Sequence, residues 1–246
     1  MKIILSGYEG HMGREVRASA ERRTDAEIVC GVDPAAESPE GVCVKSFSEC
    51  GADADVIIDF SHHALTRELL EFARERRLPL VLATTGQTEE EKALIQEAAK
   101  EIPLFLAANY SLGIAVLTDL VKQTLALYPD AEVEIVEQHH DRKLDAPSGT
   151  VLALFQAVKD VRPEAKAVTG RSGAGKRQMQ DVGMHAIRMG NTVGIHEVII
   201  GTQNETLTLR HEAHSRGVFA DGSLKAAAFL VGKEPGLYDM KDLLKG

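Results

Sequence analysis

Apolar residues follow two rhythms along this chain. Over the first hundred residues the runs Ile3 to Ser6, Glu27 to Val32, Val56 to Phe60, Leu80 to Ala83 and Leu104 to Ala107 are short and nearly continuous. Strands covered on both faces read this way. Helical spacing fills several gaps: Leu65, Leu69 and Phe72 share one face between Leu65 and Arg76, and Thr88 with Glu91 forms a capping box ahead of Leu94, Ile95 and Ala98. Strands that alternate with helices predict a doubly wound parallel sheet. After Asn109 a long helix is expected, with Ile114, Leu117, Leu120, Val121 and Leu125 as its apolar stripe.

From Ala131 to His214 the rhythm shortens to two. Ala131, Val133 and Ile135 alternate with Glu132 and Glu134, and Glu205 to Arg210 alternates likewise, so a sheet with one buried face is predicted. The fold class is therefore α/β, a Rossmann-like doubly wound domain followed by a smaller α+β domain. Thr169 to Lys176, rich in glycine and lysine, reads as a loop. A last helix carries Phe219, Leu224, Ala228, Phe229 and Leu230, and the pattern alone does not place it in either domain.

Composition narrows the function classes. Against 28 Lys+Arg stand 37 Asp+Glu, a formal net charge of −9 that argues against a nucleic-acid or membrane-surface binder. An anionic ligand would need a local positive cluster. Cys30, Cys43 and Cys50 form no Cys-x-x-Cys pair and are expected to be packing residues of a protein in a reducing, cytoplasmic setting. No apolar run approaches the roughly 20 residues of a membrane span, and a soluble, unprocessed chain is expected.

Gly7, Gly10 and Gly13 follow the first predicted strand and open a helix bearing Met12 and Val16. Small residues there let a pyrophosphate approach a helix N-terminus, although a glycine triplet also serves a plain strand-to-helix turn. Asp33, at the end of the second strand, adds a carboxylate about 20 residues on, where adenosine ribose hydroxyls are read. Together they predict dinucleotide binding through Gly7, Tyr8, Glu9, Gly10, His11, Met12 and Asp33. Asp33 is followed by Pro34-Ala35-Ala36 with no arginine, so NADH is expected to be preferred over NADPH, with Lys45 a distant cation that could still accommodate the latter. Ala83-Thr84-Thr85 and Ala107-Ala108-Asn109-Tyr110 end later strands, where ligand crevices form, though such Thr and Asn residues also cap helices.

The densest chemistry is Glu137-Gln138-His139-His140-Asp141-Arg142-Lys143-Leu144-Asp145-Ala146-Pro147-Ser148-Gly149-Thr150. It lies where a strand ends, and Ser148 suits an N-cap whose following N–H groups, at Gly149 and Thr150, suit an anion. His139, His140, Lys143 and this helix start could hold both ends of a dicarboxylate. His139 and His140 are successive residues of an extended segment and point to opposite faces, so they chelate poorly together and no metal is expected.

This segment closely resembles the signature of the 4-hydroxy-tetrahydrodipicolinate reductase (dihydrodipicolinate reductase) family, Glu-x-His-His-x-x-Lys-x-Asp-Ala-Pro-Ser-Gly-Thr, at every fixed position. The resemblance extends to Gly7 through Gly13, Thr84 through Thr88, Asn109 through Gly113, and the tail from His211 through Met240. It implies NADH- or NADPH-dependent reduction of a cyclic dicarboxylate in the diaminopimelate and lysine pathway by a homotetramer. It further implies a dinucleotide-binding domain of residues 1–110 and 216–246 and a substrate-binding and tetramerisation domain of residues 111–215. The nicotinamide-ribose contacts map onto Ala83 to Thr85 and Ala107 to Tyr110, where Ala83 replaces a usual Gly and Ala108-Asn109-Tyr110 a usual Pro-Asn-Phe. By the same resemblance His139 is the catalytic acid-base, Lys143 the proton donor, and His140, Gly149 and Thr150 the substrate clamp. Arg171 and Arg216 also match family positions. Chemistry alone leaves the division between His139 and Lys143 open, since either donates a proton once its pKa is shifted. Cofactor and substrate loops from different domains imply closure during turnover. The rival readings are another small amino-acid dehydrogenase, such as a homoserine or aspartate dehydrogenase, and a non-catalytic NAD sensor.

Overall fold

The computed structural model describes residues 1–36 and 42–246. In chain order the elements are β1 (Lys2–Ser6), α1 (His11–Glu21), β2 (Glu27–Val32), β3 (Cys43–Val44), β4 (Val56–Asp59), α2 (Thr66–Glu75), β5 (Leu80–Leu82), α3 (Glu89–Ala98), β6 (Pro103–Leu106) and α4 (Leu112–Leu127). There follow β7 (Glu132–His139), α5 (Gly149–Val161), β8 (Lys166–Val168), β9 (Asp181–Arg188), β10 (Gly194–Gly201), β11 (Thr206–Ala213), α6 (Gly217–Leu230), β12 (Gly236–Tyr238) and α7 (Met240–Lys245). The chain divides into two compact units, residues 1–112 with 216–246, and residues 113–215.

The first unit is built on a seven-stranded sheet of order β12-β6-β5-β4-β1-β2-β3, every pair parallel. Ile4, Ile57, Leu80, Leu82 and Leu104 are fully buried, as the continuous apolar runs require. Strand order reverses beside β1: β2 and β3 lie to one side and β4, β5 and β6 to the other. Such a reversal opens a crevice at the carboxyl ends of the strands. Thr88 caps α3 with the reciprocal bonds of a capping box, Glu91 N to Thr88 Oγ1 and Thr88 N to Glu91. All three cysteines are free and buried, Cys30 and Cys50 within the core of this unit. Burial pushes the Cys30 thiol up to about 12, too high for a reactive thiolate.

The second unit is a five-stranded mixed sheet, β11-β10-β7-β9-β8. β10 runs antiparallel to β11 and β7, while β7 and β9 pair in parallel, and β8 with β9. Burial alternates along β7 and β10, so one face carries Val133, Ile135, Val198 and Ile200 into a core shared with α4 and α5. The α4 seam is Ile114, Leu117, Val121 and Leu125. Leu120, expected in that stripe, is 41% exposed, because it lies beside rather than on this narrow seam. Among the described residues no helix is long and apolar enough to cross a membrane.

Helix α6 approaches its sheet closely because the residues it buries include Gly217, Ala220, Gly222, Ser223, Ala226 and Ala227. A Cβ on Gly222 would stand 1.6 Å from the Tyr110 carbonyl oxygen, a backbone atom that cannot swing aside. Gly222→Ala should therefore cost roughly 3 kcal/mol or more, the scale of severe overpacking. Urea unfolding of the variant measures it, and a loss below about 1 kcal/mol would show that α6 slides freely.

Candidate active site

In the first unit the chain leaves β1 through Gly7, whose φ of +79° a side chain would resist, and Gly7 N donates to Val32 O at 2.9 Å. A Cβ on Gly13 would lie 2.2 Å from Gly7 O, so the start of α1 packs directly against the turn that feeds it. Gly10 caps α1, and no acidic side chain occupies its first turn. Phosphate-sized anions fit this arrangement of bare backbone at a helix N-terminus. Tyr8 lays its ring over Gly31, and the Arg17 guanidinium sits 4.2 Å from the ring centroid. Glu9 N donates to Asp33 Oδ2 and Ala35 N to Oδ1, both at 2.9 Å, which fixes that carboxylate at the end of β2. His11 is exposed and Met12 half-buried.

Ala83 to Thr85 follow β5 and Ala107 to Tyr110 follow β6, so with Gly7 to Met12 and Asp33 they share the carboxyl edge of one parallel sheet. Ala83 and Ala107 are half-buried, and Thr85 and Ala108 exposed. Beneath Thr84 lies Asp59, which the sequence reading did not single out. Its carboxylate accepts from Thr84 Oγ1 and Ser61 Oγ, each at 2.6 Å. Burial lifts the Asp59 carboxyl above its usual range, against the pull of these bonds. Asn109 Oδ1 accepts from Ser111 N at 2.8 Å. Tyr110 turns inward and is buried, its hydroxyl donating to Leu82 O at 2.9 Å, so its side chain is not offered at the strand ends.

In the second unit the covered sheet face changes character along the strands. Val133 and Ile135 give way to Glu137 and His139 on β7, while Val198 and Ile200 are matched on β10 by His196, which pairs in register with Glu137. His211 on β11 is the next rung beside His196. The apolar core thus ends in a shelf of one carboxylate and three imidazoles. Glu137 is fully buried, and its Oε1 accepts from Ser148 N at 2.8 Å and Arg188 Nη2 at 2.9 Å. Oε2 lies 2.8 Å from His139 Nδ1 and 4.0 Å from His196 Nε2. Arg188 also donates to Asp145 O at 2.6 Å, tying the loop after β7 back to β9.

That loop is anchored at both ends. His140 N donates to Thr192 O and Asp141 N to Gly190 O, while Ser148 caps α5 by accepting from Val151 N at 3.3 Å. The Ala146–Pro147 peptide is cis. Lys143 Nζ is 2.7 Å from Asp145 Oδ1, and that ammonium holds the Asp145 carboxyl below its usual range. A Cβ on Gly149 would meet nothing within 4 Å, so the start of α5 is open. His139, Lys143, Gly149 and Thr150 thus gather where β7 hands over to α5, with His140 half-buried beside them.

Charges on this shelf are set by competition. Burial raises the Glu137 carboxyl, but hydrogen bonds from Ser148 and Arg188 outweigh it and leave it below its ordinary value, hence ionised. Burial lowers His139, and Lys143 and Arg188 add to that, with Glu137 opposing. His196, buried beside His139, is pushed down to about 4. Glu137, His139 and His196 present ligand atoms within 4.8 Å of one another, a grouping that could hold a metal ion. Yet Glu137 Oε1 already accepts from Ser148 N and Arg188, and Oε2 is in ion-pair contact with His139, so the set reads as a buried charge-paired cluster. The sequence reading missed Glu137, Arg188 and His196 as working residues. Parity could have revealed two of them: Glu137 continues the buried parity of Val133 and Ile135, and His196 that of Val198 and Ile200. Arg171 is exposed and paired with Asp181 at 3.1 Å, and Arg216 is exposed ahead of α6.

Residues 1–110 match the family described as dihydrodipicolinate reductase, N-terminus, and residues 113–244 its C-terminus. A 4-hydroxy-tetrahydrodipicolinate reductase of Caldanaerobacter subterraneus subsp. tengcongensis is 44% identical over 100% of this chain and 98% of that protein. One from Clostridium tetani is 42% identical over 99% and 97%. Among solved structures, the dipicolinate-bound dihydrodipicolinate reductase of Paenisporosarcina sp. TG-14 superposes with a TM-score of 0.81 at 22% identity, covering 97% of each chain.

The shelf has a pH signature. His196 stays neutral in the fold down to about 4, whereas the unfolded residue takes up its proton near 6.5. Its stability contribution is complete above the higher value and is lost as pH falls between the two, about 3 kcal/mol in all. Urea unfolding at pH 7 and pH 4.5 should show this loss in the native chain and a flatter dependence in His196→Asn. Equal slopes would refute it.

Proposed function

The chain belongs to the dihydrodipicolinate reductase family, and from that membership we propose which residues perform each part of the reaction. The activity is the nicotinamide-dependent reduction of 4-hydroxy-2,3,4,5-tetrahydrodipicolinate to 2,3,4,5-tetrahydrodipicolinate with loss of water, in lysine and diaminopimelate biosynthesis. The observation that carries the assignment of chemistry is the gathering of His139, Lys143 and the α5 start at one end of β7.

His139 and Lys143 are the proton-handling pair, and His140, Gly149 and Thr150 hold a substrate carboxylate. A helix N-terminus without acidic side chains favours an anion, and the ammonium of Lys143 adds a full positive charge beside it. Lys143 must exchange Asp145 for substrate, which a solvent-facing carboxylate permits at small cost. The dipicolinate on the Paenisporosarcina enzyme is a planar dicarboxylate of the kind such a clamp would take. Reduced nicotinamide, when bound, supplies the hydride, and the proton that the ring takes up comes from this pair.

Residues 1–110 with 216–246 act as the dinucleotide-binding domain, with Gly7 to Met12 on the pyrophosphate, Asp33 on the adenosine ribose, and Ala83 to Thr85 and Ala107 to Tyr110 toward the nicotinamide ribose. Residues 111–215 bind substrate and tetramerise in a cytoplasmic enzyme. The sheet face away from α4 and α5 carries Val136, Ile195 and Ile199, apolar surface that a subunit interface would cover. NADH is the preferred reductant, because a 2′-phosphate would meet the Asp33 carboxylate.

Turnover followed as loss of reduced-nicotinamide absorbance, with substrate generated from pyruvate and aspartate semialdehyde, should fall about 10²- to 10⁴-fold in His139→Ala and in Lys143→Ala while NADH still binds. Full activity in either variant removes that residue from the chemistry. Catalytic efficiency with NADH should exceed that with NADPH by about 10-fold or more, and Asp33→Asn should narrow the gap. Equal efficiencies in the native enzyme would sink the preference.

A further inference from the structure

We propose that Glu137 is a positioning residue that keeps the His139 proton on Nδ1, so that Nε2 is always the nitrogen that exchanges a proton with substrate. The inference rests on His139 being a proton-handling residue as read above. Nδ1 lies 2.8 Å from Glu137 Oε2, an ion-pair contact that is close but off the line of a hydrogen bond. A bare imidazole lone pair at that distance from a carboxylate would be repelled, so the hydrogen sits on Nδ1. The carboxylate cannot turn away, because Ser148 N from α5 and Arg188 from β9 hold its other oxygen. Its ionised state, favoured by those two donors, keeps it an acceptor at neutral pH.

The opposite edge of the ring faces Gly194 of β10. A Cβ on Gly194 would stand 3.2 Å from His139 Nε2, so the absence of a side chain there leaves that nitrogen uncovered by β10. His196 meets His139 edge-on, with ring centroids 5.1 Å apart, and restricts its tilt. The groups that face His139 are Glu137 on its own strand, Lys143 on the following loop, Arg188 on β9 and His196 on β10, with His211 on β11 behind His196. Glu137 is the one anion among them. It alone opposes the three cationic or imidazole neighbours, and its removal should make His139 a stronger acid.

Nitrogen-15 imidazole spectra of the histidine-labelled native enzyme at pH 8, with His139 assigned by difference against His139→Asn, read the tautomer directly. The expected state is Nδ1–H, and an Nε2–H tautomer overturns the proposal even if every Glu137 variant fails to fold. In Glu137→Gln the His139 titration should move down by about one pH unit, with the alkaline limb of kcat moving with it and KM changing less. A residue that merely packs would lower kcat equally at all pH, and an unmoved titration overturns the positioning role. Unchanged turnover in His139→Asn would overturn the parent reading, and the catalytic half of this one with it, whichever tautomer the spectra show.

Discussion

One buried negative charge organises the second unit. Glu137 is wholly removed from water, and an ionised carboxylate there is tolerated only because a backbone N–H, a guanidinium and an imidazole all face it. Each of these donors belongs to a different piece of chain. Ser148 opens α5, Arg188 ends β9 and His139 ends β7, so satisfying one carboxylate fixes the mutual placement of the groups around the loop after β7. Arg188 extends the arrangement by holding the Asp145 carbonyl, which sets the loop that presents Lys143.

The first unit builds the carboxyl edge of its sheet by a different route, through the absence of side chains. Gly7 and Gly13 let backbone touch backbone where β1 turns into α1, and Gly31 makes room for the Tyr8 ring. Polar groups are then added sparingly. Asp33 is held by two backbone donors and Thr84 by the buried Asp59, so the strand ends offer groups whose positions are fixed in advance. Such preorganisation reduces the ordering needed when a ligand arrives.

Much of this was legible in the chain because it is local. The Thr88 capping box, the Ser148 cap and the glycines after β1 are encoded within a few residues of where they act, and the two hydrophobic rhythms distinguish a doubly covered sheet from a singly covered one. Leu120 was misread because a broad apolar stripe and a narrow seam differ by one position in the pattern. Tyr110 follows β6 within a few residues, yet its side chain answers to Leu82 and Phe105 carbonyls, partners that sequence order does not announce. Glu137, Arg188 and His196 come together only through the register of β7 with β9 and β10, and register over such separations is a property of the assembled sheet.

The parallel pairing of β7 with β9 makes the signature loop dependent on residues far from it. Arg188 lies 51 positions beyond the carboxylate it serves. The fourteen consecutive residues that look self-sufficient on paper are therefore not a portable cassette. Grafted onto another strand-to-helix junction, they would bring a buried acid with His139 but without its guanidinium or the imidazoles of His196 and His211, and the acid would take up a proton or force the loop open. This chemistry can be inherited or diversified within the mixed sheet, but it cannot travel between folds as a short insertion.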